Sequence, residues 1–326
     1  MTIDVPRRTA LRTIGLGIGG AVLPGNVAAA ESGPERLFSY DPSVGELPEN
    51  VAVNRRGTKY VSFPPLGEIR AITPDNRTES TLATFDVGDG TGVVGLEVRP
   101  TGTLFACLVT FNTSGSDAHG IWRVTPGGER SLFAELEPGT FPNDVLLDGD
   151  SLLVTDSIGG SVLRVDEGEV SEWVADPLLE GDGSAGFGFP IGANGIAEAS
   201  DGTVYVANAE KGRLVEIPRT SGGGAGTPRL LVDDDDLTPD GLAIDTRDDL
   251  YVANVGLDTV VRVTQAGDVE TLATGDDGLD GPSDVTFGTS RGEQTELFVT
   301  NFALLSEEDP SLVKLDVGVP GRPIHP

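Results

Sequence analysis

Residues 239–251 read Pro-Asp-Gly-Leu-Ala-Ile-Asp-Thr-Arg-Asp-Asp-Leu-Tyr: a tight turn, an apolar stretch, a polar turn and an aromatic. The phrase recurs along the chain. Eleven positions separate Asp240 from Tyr251, Asn194 from Tyr205 and Glu49 from Tyr60, and Val94 stands at the same spacing from Phe105, with Gly95 in the place of Gly195 and Gly241. A copy at Asn143 is one residue shorter, and one at Ser283 carries four extra residues before Phe298. The first positions of the six phrases are therefore Glu49, Val94, Asn143, Asn194, Asp240 and Ser283, a repeat of roughly 43 to 51 residues.

Each phrase is followed by two further short apolar segments, such as Val260–Val263 then Val269–Ala273, and none of them shows helical periodicity. Four short strands per repeat is the sequence form of a propeller blade. Six repeats predict an all-β fold, a six-bladed β-propeller spanning residues 31–326. The sixth repeat reaches a third strand at Leu312–Leu315 and then runs into Gly318, Pro320, Gly321 and Pro323. Its missing outer strand is predicted at Arg36–Tyr40, far away in sequence, so that an N-terminal strand completes the last blade and no open edge is left to aggregate.

The formal charge of -30 comes from 52 acids against 22 bases, and only Lys59, Lys211 and Lys314 are lysines. Such a surface repels phosphate backbones, so nucleic acid is excluded as a partner. The acidic, lysine-poor composition resembles that of halophilic proteins. Cys107, the single cysteine, excludes internal disulfides and cysteine-based metal sites and reads as a small buried hydrophobe. Residues 1–30 pair Arg7 and Arg8 with a glycine-rich apolar segment at Ile14–Leu23 and the small residues Ala28–Ala30. That is the pattern of a twin-arginine export signal, implying an extracellular or cell-surface protein with no membrane span once the signal is cleaved. Without those residues the charge becomes -32. Two long irregular stretches, Asn112–His119 and Asp176–Gly192, are candidate loops over the channel mouth.

In a propeller the first strand of each blade lines the central channel, so the six opening residues converge on one mouth. Glu49, Asn143, Asn194 and Asp240 then offer two carboxylates and two amide carbonyls to one point, a hard-oxygen set that suits a divalent metal, calcium above all. The ring holds no histidine, which argues against zinc. Asp156, Asn208, Asn254 and Asn301 recur at the ends of second strands and read instead as side-chain caps. Only two histidines exist, His119 on a loop or strand edge and His325 in the tail, so serine–histidine chemistry is unsupported.

The phrases Pro-Glu-Asn at 48–50, Phe-Pro-Asn-Asp at 141–144, Ala-Asn-Gly at 193–195 and Pro-Asp-Gly at 239–241 resemble the senescence marker protein, gluconolactonase and luciferin-regenerating enzyme family. That resemblance covers about residues 35–318. It implies a divalent metal held by Glu49, Asn143, Asn194 and Asp240, with Asp240 as base and Glu49 as the second choice, acting on a small-molecule lactone or ester. One position departs from the pattern: the lactonases place Arg before Pro-Asn-Asp, where this chain has Phe141. A propeller that only binds, and a propeller lyase or strictosidine-synthase-like enzyme, share the scaffold and remain alternatives.

Overall fold

The strand Leu250–Asn254 is buried along its whole length. Its alternate side chains serve two different cores. Leu250 and Val252 pack with Leu242, Leu214 and Tyr205, whereas Tyr251 and Ala253 pack with Phe287, Val285 and Val299. A strand apolar on both faces needs a sheet on either side, and stacking sheets around a closed ring satisfies that need for every strand at once. The computed structural model describes residues 33–88, 90–110 and 115–323. It contains six four-stranded antiparallel sheets and six apolar clusters, each shared by two neighbouring blades.

Five blades are built from consecutive strands; the first, for example, consists of Val51–Val53, Lys59–Phe63, Glu68–Ile72 and Glu79–Thr84. The last is composite. Its strands Pro282–Phe287, Glu296–Asn301 and Ser311–Asp316 are completed by Glu35–Ser39 from the other end of the chain. The expected closure is present, shifted by one residue, with Arg36 opposite Val313 and Phe38 opposite Leu312. Tyr40 follows directly, its amide donating to Pro310 O (2.9 Å) and its hydroxyl to Glu79 (2.7 Å), with its ring edge-on to Phe63 at 4.9 Å.

The seam between the last and first blades is stitched further by a buried lysine. Lys59 Nζ lies 3.0 Å from the Glu293 carboxylate and 4.5 Å from the centre of the Phe298 ring, which compensates the cost of burying its charge. Cys107 is fully buried among apolar neighbours, as expected. Residues 1–30, which carry the expected export signal, lie outside the described residues, as do His325 and Asn112–Ser114 of the first long loop. Among the described residues no helix is long and apolar enough to cross a membrane.

Tyr40→Ala removes the ring that locks the terminal strand and is expected to cost about 3 kcal/mol. A urea-unfolding midpoint that corresponds to a loss under about 1 kcal/mol would show the closure to be dispensable.

Candidate functional site

The inner strands are not regular where the phrase begins. Pairing with the second strand slips between Val93 and Leu96, Pro142 and Val145, Ala193 and Ile196, Pro239 and Leu242, and Pro282 and Asp284. Each slip is a β-bulge, which re-aims the residues it contains, and prolines are tolerated at such positions. The bulges hold Val94–Gly95, Asn143–Asp144, Asn194–Gly195, Asp240–Gly241 and Ser283. In the first blade Glu49 and Asn50 sit at the equivalent place, just before Val51–Val53. Asn143, Asn194 and Asp240 therefore occupy the same deformation of their blades, and Glu49 the matching position at the entry to the first.

Neighbouring ring positions are linked in part. Asn194 hydrogen-bonds to the Asp240 carboxylate, and Asp240 lies within electrostatic reach of Glu49. On the other side Asn143 Nδ2 donates to Ser157 Oγ (3.0 Å), and Ser157 Oγ donates to the carbonyl of Ala193 (2.6 Å), next to Asn194. With its nitrogen occupied, Asn143 has its carbonyl oxygen to offer a cation. The two remaining openings take other work. Val94 packs with Phe105, Phe133 and Phe141, and the Ser283 hydroxyl donates to the Glu49 backbone carbonyl (2.5 Å).

Burial and mutual repulsion set the protonation of the acids around the channel. Burial is the main cause raising Glu49 well above the usual carboxylate range, with Asp240, Asp284 and Asp144 adding to it. Burial pushes Asp240 up to about 8, aided by Asp144, against the hydrogen bond from Asn194. Glu97 rises to about 8 and Asp144 to about 6, again through burial, and Asp284 is raised for the same reason. Among the described residues no three His, Cys, Asp or Glu side chains form a metal-binding group. The ring set differs from such a group in having two acids and two amides. Its donor chemistry fits a hard divalent cation, which would replace protons on Glu49 and Asp240 with a charge the amide oxygens also favour.

Sequence reasoning aligned three glycines directly after the ring positions but missed what that whole column does. In chain order they are Asn50, Gly95, Asp144, Gly195, Gly241 and Asp284. Asn50 Oδ1 accepts from the Leu96 amide (3.0 Å), Asp144 Oδ2 from Ile196 (3.0 Å) and Asp284 Oδ2 from Val51 (2.9 Å), each in the next blade. Where the residue is glycine, the next blade comes too close for a side chain. A Cβ on Gly95 would lie 2.3 Å from Asn143 O, and one on Gly195 would lie 2.1 Å from Asp240 O. The signal was the alternation of glycine with short acceptors, accompanied by Thr155 and Thr300 where an acid stands and by Ala207 and Ala253 where glycine stands. Those threonine hydroxyls accept from the Asp144 amide (2.9 Å) and the Asp284 amide (3.1 Å).

The caps are found where they were expected. Asp156 accepts from the Phe141 amide (2.8 Å), Asn254 from the Thr238 amide (2.6 Å), and Asn208 and Asn301 donate to the carbonyls of Leu178 (2.9 Å) and Gly278 (3.0 Å). Each ties a second strand to the segment leading into the ring position of its own blade. His119 is structural: its Nδ1 accepts from the Thr110 amide (3.2 Å) and its Nε2 bonds Thr140 Oγ1 (3.0 Å). Residues 288–292 read Gly-Thr-Ser-Arg-Gly, the letters of a nucleophile elbow. They lie in the hairpin between Pro282–Phe287 and Glu296–Asn301 rather than in a strand-to-helix turn, and Ser290 packs at Gly57.

The chain after the last strand runs across the other end of the channel. Thr246 N donates to Pro320 O (3.0 Å), Arg322 N to Ile244 O (2.9 Å) and Gly321 N to Gln294 O (2.9 Å), and the Arg322 guanidinium reaches the Glu198 carbonyl. Arg322 and Pro323 line one end of a cavity of about 190 Å³ whose walls include Asn50, Glu97, Asp144 and Asp284.

With this geometry in place, comparison with known proteins narrows the relationship. Residues 186–303 match the profile of the SMP-30/Gluconolactonase/LRE-like region. This SMP-30-like segment contains Asn194, Asp240 and Ser283, whereas Glu49 and Asn143 stand before it. No curated protein matches the chain at the sequence level. Among solved structures, a putative gluconolactonase aligns with TM-score 0.67 and 19% identity over 90% of this chain and 95% of its own. The calcium-binding protein regucalcin from Agrobacterium tumefaciens aligns with TM-score 0.66 and 19% identity over 89% and 95%. Virginiamycin B lyase from Staphylococcus aureus aligns with TM-score 0.56 and 16% identity over 84% and 96%. At such identities the likeness establishes the propeller fold, and the chemistry must be argued from the site.

The raised acids fix a sign for pH dependence. A carboxyl that holds its proton in the native state but releases it near pH 4 when unfolded makes stability fall as pH rises. Metal-free protein is therefore expected to lose thermal stability between about pH 5 and pH 8, through the range set by Asp144 near 6 and by Asp240 and Glu97 near 8. Calorimetry in the presence of chelator checks this; stability that is flat or rising over that range would contradict it.

Proposed function

We propose that this protein is an exported, calcium-dependent lactone or ester hydrolase whose centre is Glu49, Asn143, Asn194 and Asp240. The observation that carries the reading is that these side chains stand at the same position of four blades and neighbour one another: Asn143 linked through Ser157 to the Ala193 carbonyl, Asn194 bonded to Asp240, and Glu49 in electrostatic reach of Asp240. Four oxygen-bearing residues at equivalent blade positions, two of them acids with no charge-neutralising partner in the contacts just described, favour a hard cation over water alone.

When bound there, a divalent cation supplies Lewis acidity toward a carbonyl oxygen, a contribution of several kcal/mol. The protein's own groups do the rest. Asp240 accepts a proton from the attacking water, and the Asn194 amide orients the carboxylate for that transfer. Glu49 is the alternative acceptor. Asn143 is held by Ser157, so the ring keeps its shape during turnover. Export by the twin-arginine route belongs to the same proposal and rests on Arg7 and Arg8. Replacing both by lysine is expected to retain the protein inside the cell on fractionation.

Calcium is expected to raise Tm in the wild type, and Asn194→Ala to lose most of that shift. Asp240→Asn should lower kcat at least about a hundredfold against lactones and aryl esters. A wild type without calcium response and without turnover of any of them would leave a binding propeller in place of the enzyme.

A further inference from the structure

Between the third and fourth blades stands a feature that the ring chemistry does not use. The ring of Phe141, two residues before Asn143, lies 5.6 Å from that of Phe189, and Phe189 lies 6.5 Å from Phe187. The same scaffold that orients the two amides positions these rings. Ser157 N donates to Phe141 O (3.0 Å), while its hydroxyl joins Asn143 to Ala193, four residues beyond Phe189.

The loop that carries Phe187 and Phe189 is pinned in place. The Glu210 carboxylate accepts from the amides of Asp182 (2.7 Å), Gly183 (2.8 Å) and Ala185 (2.9 Å), and Asn208 holds the carbonyls of Leu178 (2.9 Å) and Glu180 (3.0 Å). Phe187 and Phe189 nevertheless keep part of their surface in water. Other turns at this end of the propeller are also apolar: Leu257 is 50% exposed and Leu305 is 67% exposed, on second-to-third-strand turns of the fifth and sixth blades. Partly exposed aromatic rings fixed beside a polar centre form a seat for apolar groups, because covering them removes their surface from water.

We infer that Phe189 and Phe187, backed by the buried Phe141, seat an apolar arm of the substrate, so that the ring acts on a lactone or ester bearing an alkyl or aryl substituent. The inference rests on the hydrolase reading above and extends it to substrate class. With the calcium-loaded protein, kcat/KM for γ-decalactone is expected to exceed that for γ-butyrolactone by about tenfold or more. Phe189→Ala is expected to shrink this ratio about tenfold, mainly through KM, and Phe189→Leu, which keeps an apolar side chain, to preserve most of it. A wild type that treats the two lactones alike, or a ratio unchanged in Phe189→Ala, overturns the inference. Calorimetric binding of the matched, unhydrolysed γ-lactams separates the two claims. If neither lactone is turned over, a preference for the longer lactam that Phe189→Ala abolishes supports the seat while the hydrolase reading fails, and no preference overturns the seat as well.

Discussion

Adjacent inner strands approach so closely at the bulges that the residue after each ring position has two options. It is a glycine, which lets the next blade's backbone through, or a short acceptor, which grips that backbone's amide. Gly95, Gly195 and Gly241 take the first option, and Asn50, Asp144 and Asp284 take the second. Either way the spacing between neighbouring blades is fixed at the level of the ring, within a hydrogen-bond length. The positions of Glu49, Asn143, Asn194 and Asp240 relative to one another follow from that spacing, since each stands one residue from a contact that crosses blades. Precision at a site assembled from distant segments thus comes from backbone packing as well as from the functional side chains themselves.

The same device concentrates charge. Gripping amides with carboxylates puts Asp144 and Asp284 into a channel that already holds Glu49, Glu97 and Asp240, and burial raises every one of them. A fold that places like charges this close sacrifices stability locally, and native proteins tolerate such conflict mainly where it serves function. The conflict can be relieved by protons or by a cation.

The architecture was legible because a propeller repeats itself. An eleven-residue ruler from Asp240 to Tyr251 located the blades, and the orphan Arg36–Tyr40 could be assigned because the last repeat ran out of strands. The ring positions were legible for the same reason, as a column in the repeat. What escaped was the neighbouring column, because a glycine and an aspartate look unrelated until the close approach that both solve is seen. Phe189 was legible only as part of the irregular loop Asp176–Gly192, because its pairing with Phe141 joins residues that no repeat relates. The letters Gly-Thr-Ser-Arg-Gly at 288–292 show the opposite failure, a motif whose spelling is present without the strand-to-helix turn that gives it meaning.

The segment after the final strand gives the molecule a direction. Because residues 320–323 are stitched to one end of the wheel, with Arg322 tethered to the fourth and fifth blades, the bore has two unlike mouths, the ring bulges at one and a strap of chain at the other.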